Sequence, residues 1–172
     1  MQAVLREKCR FADFVPCTAH SLNLVGKSAA EHCRAAAEIF DLLQSLYAWL
    51  VSSTHRWQVH RKHLKTLPVN KSLSGTRWSA RYDAVSAVNK GYCENILALA
   101  ELAADESQPK ESRVEAAGFQ KKLERLETCV LLELWDTILD RFQKISLSLQ
   151  HSGLPLNAVS YTHLTLPTTS RV

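Results

Sequence analysis

Three short stretches carry residues whose types and spacing could do chemistry. The first, FVPCTAHSLNLVG from Phe14 to Gly26, sets Cys17 and His20 three positions apart just ahead of an apolar helical pattern. Such a pair could be half of a metal clip, a nucleophile with its base, or a packed corner. A structural zinc needs four Cys or His ligands around one point. His32 and Cys33 could supply two more, but the intervening helix would hold His20 and His32 roughly 18 Å apart at its fixed rise per residue. Cys9 adds only a third ligand from a separate piece of chain, so no metal site is expected here. A Cys–His nucleophile also needs an orienting third group and an oxyanion site, and the neighbouring sequence offers neither. The expectation for Cys17 is a packed thiol.

The second stretch, HRWQVHRKH, holds His55, His60 and His63. His60 and His63 are helical neighbours and could bind a metal, but Arg56, Arg61 and Lys62 between them repel a cation, and phosphate suits the composition better. The third, TRWSAR, places Arg77, Trp78 and Arg81 where a helix starts after a flexible loop. Guanidinium groups at a helix N-terminus favour phosphate. A tryptophan beside them could stack on an unpaired base, an interaction of about 1–3 kcal/mol. The alternative is that Trp78 begins a core stripe, which its spacing also fits. The candidate nucleic-acid contacts are therefore Arg56, Trp57, Arg61, Lys62, Arg77, Trp78 and Arg81.

Charge supports that choice. The net formal charge is only +4, but between Asp41 and Asp83 there is no acidic residue, while Arg56, Arg61, Lys62, Lys65, Lys71, Arg77 and Arg81 all fall there. From Glu94 to Asp140 acids outnumber bases. A basic middle beside a more acidic flank suggests a face for polyanions, or else a solvated surface that happens to be basic. The carboxylates bordering the basic stretch (Glu38, Asp41, Asp83 and Glu94) sit in helical patterns and do not pair for metal binding.

The elements that must position these groups are helical. The chain has 172 residues, is 46% hydrophobic and has few Gly and Pro, enough for one core of useful size. Its five cysteines form no disulfide framework and suit a reducing compartment, cytosol or nucleus, with the nucleus favoured. No apolar run is long enough to span a membrane, and the charged Met1–Arg10 segment does not read as a secretory signal. Residues 13–17 look extended, because Pro16 disfavours helix at Val15. From Ser21 an apolar stripe runs through Leu22, Val25, Ala29, Cys33, Ala36, Phe40, Leu43, Tyr47 and Leu50, predicting one helix. Ser52–Thr54 stops it and caps a short basic helix. Residues 65–75 read as a loop, with Ser74 or Thr76 able to cap the next helix. A second stripe goes from Trp78 to Ala103 and is broken by ADESQPK. A third, with Val114, Ala117, Leu126, Val130, Leu134, Ile138, Phe142, Ile145 and Leu149, predicts one helix over about 111–150, with a kink at Gly118. The fold class expected is mainly α, with one short orphan strand near residues 13–17. Residues 159–172 lose the helical period and resemble a translated cloning or sequencing adapter, so they are set apart from the fold.

CTAHSLNLVG, SSTHRW, LSGTRWSARYDAV, LELWDTIL and ISLSLQ, in that order, resemble hAT-superfamily transposases, most closely the domesticated or degenerate MYM-type zinc-finger-1-like group. The similarity runs from residue 1 to about 158. It implies an RNase H-like catalytic core interrupted by a helical insertion, in which residues 1–20 are a remnant of the core and 21–158 the insertion. The family cleaves DNA with an Asp/Asp/Glu triad and two divalent metals. The resemblance places this chain between the second and third carboxylates. It is thus expected to be catalytically incomplete and to hold no cofactor, with Mg²⁺ or Mn²⁺ belonging only to an intact parent. By the same resemblance, Cys17 and His20 fall on an accessory Cys-x-x-His motif near the scissile phosphate, and Trp78 on a position that stabilises a flipped base. The partner implied is DNA, bound through residues 55–81, with protein partners or self-association in the parent. A helical protein-interaction module that has left DNA behind is the alternative. The family's zinc-finger cysteine pairs and its C-terminal dimerisation region are missing from the segment.

Overall fold

The computed structural model describes residues 18–73 and 78–150. Those residues form seven α-helices and, among them, no strand: α1 Thr18–Glu31, α2 Arg34–Val51, α3 Thr54–Leu64, α4 Trp78–Lys90, α5 Tyr92–Ala104, α6 Lys110–Leu123 and α7 Leu126–Leu149. The protein is mainly α, as its stripes indicate. The expected strand at 13–17, the cap at Ser74 or Thr76, and the 159–172 tail lie outside the described residues. Among the described residues no helix is long and apolar enough to cross a membrane.

Each of the three long stripes is divided. The first breaks at His32–Cys33, where Cys33 is extended and the His32 ring hydrogen-bonds the Ser28 carbonyl at 2.7 Å. The break resets the helical phase: α1 buries Gly26 and Ala30, whereas α2 buries Ala36, Ile39, Phe40, Leu43, Leu46 and Leu50. Val25, Ala29 and Cys33, expected in the core, are exposed. The second stripe breaks at Gly91, where a Cβ would come within 2.6 Å of Leu64 Cδ2. Glycine there lets the end of α3 press onto the start of α5. The third breaks at Glu124–Arg125 and not at Gly118, which stays inside α6 with open space around it. The last carbonyls of α6 are claimed from elsewhere: Tyr92 donates to Leu123 O at 2.6 Å, and Thr128 donates to Lys122 O at 2.8 Å. Those bonds satisfy acceptors that a helix end leaves open.

Two other boundaries match the sequence closely. Ser53 is extended ahead of α3 but its side chain makes no capping bond there, whereas the Ser52 hydroxyl donates to the Trp49 carbonyl at 2.8 Å and closes α2. Between α5 and α6, Asp105 accepts from both the Ser107 amide and hydroxyl, a side-chain turn that ends one helix before Pro109 opens the next.

Two apolar clusters share α2. Its first half joins Trp78, Val85 and Val88 of α4 and Leu132 and Leu139 of α7. Its second half, with Leu46, Trp49 and Leu50, packs with Val59 of α3, Leu99 and Leu102 of α5, and Ala116 and Leu123 of α6. Leu42 touches both. The bundle is therefore two packed groups of helices hung on one central helix.

Candidate functional site

The basic middle of the sequence is carried by α3, the loop after it and the start of α4. On α3 the inward residues Val59, His60 and Leu64 fix the helix against its neighbours. That register leaves Gln58, Arg61, Lys62 and Lys65 facing solvent. Lys65 ends the helix with φ 53°, a left-handed conformation that costs a side-chain-bearing residue some energy.

Most of the cations and histidines here are engaged inside the protein. Arg56 donates to the Trp49 carbonyl at 2.8 Å and to Ser52 Oγ at 3.2 Å, with its guanidinium 4.5 Å from the Trp49 ring centre. Trp57 packs edge-on to Tyr47 and beside His60. Lys62 and His63 both hold Glu101, at 3.0 and 2.7 Å. Hydrogen bonds from Lys62 and then His63 hold the Glu101 carboxyl below its ordinary range. His55 pairs with Asp105 at 2.9 Å. The Asp105 carboxyl is also held low, first by the Ser107 hydroxyl and amide and then by His55. Lys71 pairs with Asp83 at 3.0 Å.

His60 is buried, and its Nε2 meets Asn95 Oδ1 at 3.1 Å. Asn95 also accepts from Asn70 Nδ2 at 2.8 Å and donates to the Gly91 carbonyl at 2.7 Å. This polar knot ties α3, the following loop and α5 together. Burial pushes the His60 pKa down, against the opposing pull of the Asn95 hydrogen bond.

The start of α4 departs furthest from the base-stacking expectation. Trp78 is only 6% exposed, and its indole N–H donates to the Asn23 carbonyl of α1 at 2.7 Å. Its ring stacks with Phe142 at 5.5 Å and Trp135 at 6.5 Å, and its edge lies against Gly26. Burial and these contacts give Trp78 the core role that its stripe also allowed, and beside it lies an open cavity of about 440 Å³ that it lines with Asn23, Ser79 and Gln143. Arg81 lies over Phe40 and Trp78 at 4.8 and 5.2 Å, and burial lowers its pKa. Arg77 and Cys17 lie outside the described residues. His20 is exposed on the first turn of α1.

Of the seven candidate contacts, the fold gathers Arg61 and Lys62 on one solvent-facing edge and adds Lys65 one turn beyond Arg61. Neither Arg61 nor Lys65 has a carboxylate within ion-pair distance among the described residues. Arg56, Trp57, Trp78 and Arg81 are half-buried or buried and serve packing. Sequence reasoning missed the acids that meet the basic stretch. The signal was present in Glu101 and Asp105, one turn apart, but nothing local says which helix they face.

Among the described residues, no group of three or more His, Cys, Asp or Glu side chains is placed to hold a metal ion. Comparison with family models, curated proteins and solved structures returns no match.

Proposed function

We propose that this chain is the helical insertion region of an hAT-like, transposase-derived protein, and that it contacts nucleic acid without performing cleavage. The ordered motifs from CTAHSLNLVG to ISLSLQ support the kinship, and the helical architecture is compatible with it. The observation that carries the binding reading is the solvent-facing edge of α3, where Arg61, Lys62 and Lys65 stand within about one turn of one another. Such an edge binds phosphates electrostatically and reads no bases. Three phosphate contacts give a slope of log affinity against log salt near −2.7, about a 40-fold loss between 50 and 200 mM. Hairpin DNA titrated at those two salt concentrations tests this. Replacing Arg61 and Lys65 by Ala should flatten the slope by about 2. An unchanged slope in that double variant overturns the assignment.

A second reading, a helical module that docks protein, is favoured by a different observation. The cations and histidines at positions 55, 56, 62, 63 and 71 are already held by partners within the fold. Binding that ignores salt and survives loss of Arg61 and Lys65 would support this reading against the first.

A further inference from the structure

The outer side of α7 is not what a solvated helix presents. Its core-facing residues are Thr128, Leu132, Leu139 and Ser146. On the far side of its first half, Leu126, Val130 and Leu134 are 78%, 56% and 50% exposed. Spaced four apart, they form a band about 80° wide on the helix surface. Single exposed leucines need no explanation, but a contiguous apolar row marks an interaction surface.

The row is bordered by acid. Helical geometry places Glu127 on one side and Glu133 on the other, and both are exposed. Beyond Glu127 an open groove of about 340 Å³ runs between α2 and the α6–α7 junction. Leu42 and Leu131 line it, and three acids, Glu38, Asp41 and Glu127, stand around it. Glu38 is tied to Arg34 at 2.8 Å. Asp41 and Glu127 have no ion-pair partner among the described residues, while the junction contributes Lys122 and Arg125 to the other wall.

These charges discriminate between occupants. If a second copy laid the same row on this one, parallel or antiparallel about Val130, Glu127 and Glu133 of one copy would face those of the other. Like charges so placed disfavour the pair. A helix bordered by bases meets the row with opposite charge on both sides. We propose that the first half of α7 docks an amphipathic helix of another protein whose apolar stripe is bordered by arginine or lysine, one basic side chain entering the groove beside Asp41 and Glu127. This inference deepens the docking reading and does not depend on DNA binding. The arrangement is the helix-in-groove mode, in which a few anchors at helical spacing carry most of the affinity.

Two labelled 20-residue synthetic helices with the same leucine stripe test it, one bordered by Arg and one by Glu, titrated by fluorescence anisotropy against the full chain. The Arg-bordered helix is expected to bind at least ten-fold more tightly. Val130→Lys and Leu134→Lys should each weaken it at least ten-fold with unchanged thermal melting, because both side chains are exposed. Leu126→Lys, at the most exposed position, provides the same test should either variant melt early. Asp41→Lys combined with Glu127→Lys should reverse the preference between the two helices. Equal binding of both helices, lost in Val130→Lys, overturns the charge rule and leaves the docking reading standing. No binding by either overturns both. A dimer seen in sedimentation equilibrium and abolished by Val130→Lys assigns the row to a second copy and overturns the inference.

Discussion

Gly26 and Gly118 both sit inside helices, and replacing each by alanine should move stability in opposite directions. Alanine is the better helix former by about 0.8–1.0 kcal/mol, so propensity alone predicts the same gain at both sites. At Gly118 a Cβ meets nothing within 4 Å, and the gain should appear in full. At Gly26 the Cβ would lie 2.7 Å from Trp78 Cε2 and 2.8 Å from both Cζ2 and Nε1. The ring cannot yield cheaply, because its N–H is bonded to Asn23 O and its face is stacked on Phe142. Overpacking of this kind costs about 1–3 kcal/mol, and a disturbed hydrogen bond adds about 1 kcal/mol. The steric cost exceeds the propensity gain, leaving Gly26→Ala less stable by about 1–3 kcal/mol. At this chain length that lowers Tm by about 2–12 °C, while Gly118→Ala raises it by about 2–4 °C. Urea denaturation followed by tryptophan fluorescence, paired with calorimetry, measures both. If Gly26→Ala is as stable as the parent, α1 does not pack on Trp78. The ring would then be open to an unpaired base, and its assignment to the core would be refuted.

Trp78→Ala should cost about 3–5 kcal/mol as a core truncation, so urea midpoints must be read before any loss of DNA binding is assigned to stacking. Arg56→Ala and Arg61→Ala should separate packing from contact. The first loses about 1–3 kcal/mol with no change in the salt slope, and the second loses slope with no change in the urea midpoint. Burial holds the His60 pKa in the folded protein below its unfolded value near 6.5. The unfolded chain therefore takes up the proton first, and stability should fall as pH drops from about 6.5 toward the folded pKa. Glu101 and Asp105, whose pKa values are held low, lose their contributions only below the ordinary carboxylate range near 4. Urea midpoints from pH 8 to 5 in the parent and in His60→Gln test the first window, and parallel curves would refute it.

How much of the fold is legible in the sequence depends on whether the deciding contact is local. The stop between α2 and α3 can be read because the Ser52 hydroxyl bonds the Trp49 carbonyl one turn back, and the stop at Asp105–Pro109 because Asp105 bonds within its own turn. The α7 stripe misleads because apolar residues lie on both sides of that helix. Leu126, Val130 and Leu134 make one ladder, and Leu132 and Leu139 belong to another. Periodicity cannot choose between two such ladders; α2 and α4 choose by packing on the second. On α1 the buried positions among the described side chains are Gly26 and Ala30, residues with little apolar signal of their own. Small size matters there because the Trp78 ring must lie against the helix. The breaks at His32 and Glu124 carry no proline, and the second depends on Tyr92 of α5 and Thr128 of α7, which bond the last carbonyls of α6 from outside it.

The same distinction bears on charge. Along the sequence, seven Arg and Lys residues fall between Asp41 and Asp83 without one acid, which reads as a strong field for polyanions. In space, Glu101 meets Lys62 and His63, Asp105 meets His55, Asp83 meets Lys71, and aromatic rings and carbonyls hold Arg56 and Arg81. The two pictures give different numbers for one experiment. If all seven cations contacted phosphate, the salt slope would be near −6; if only the α3 edge does, it lies near −2.7. The α3 edge already needs Lys62 to exchange Glu101 for phosphate; a slope near −6 requires in addition that Lys71 leave Asp83 and that Arg56 and Arg81 leave their rings. Such a change would loosen α3 and the start of α4 from α2. It would also expose tryptophan and shift its fluorescence during the titration. A steep slope without that shift would show that cations outside the described α3 edge, Arg77 first among them, supply the contact.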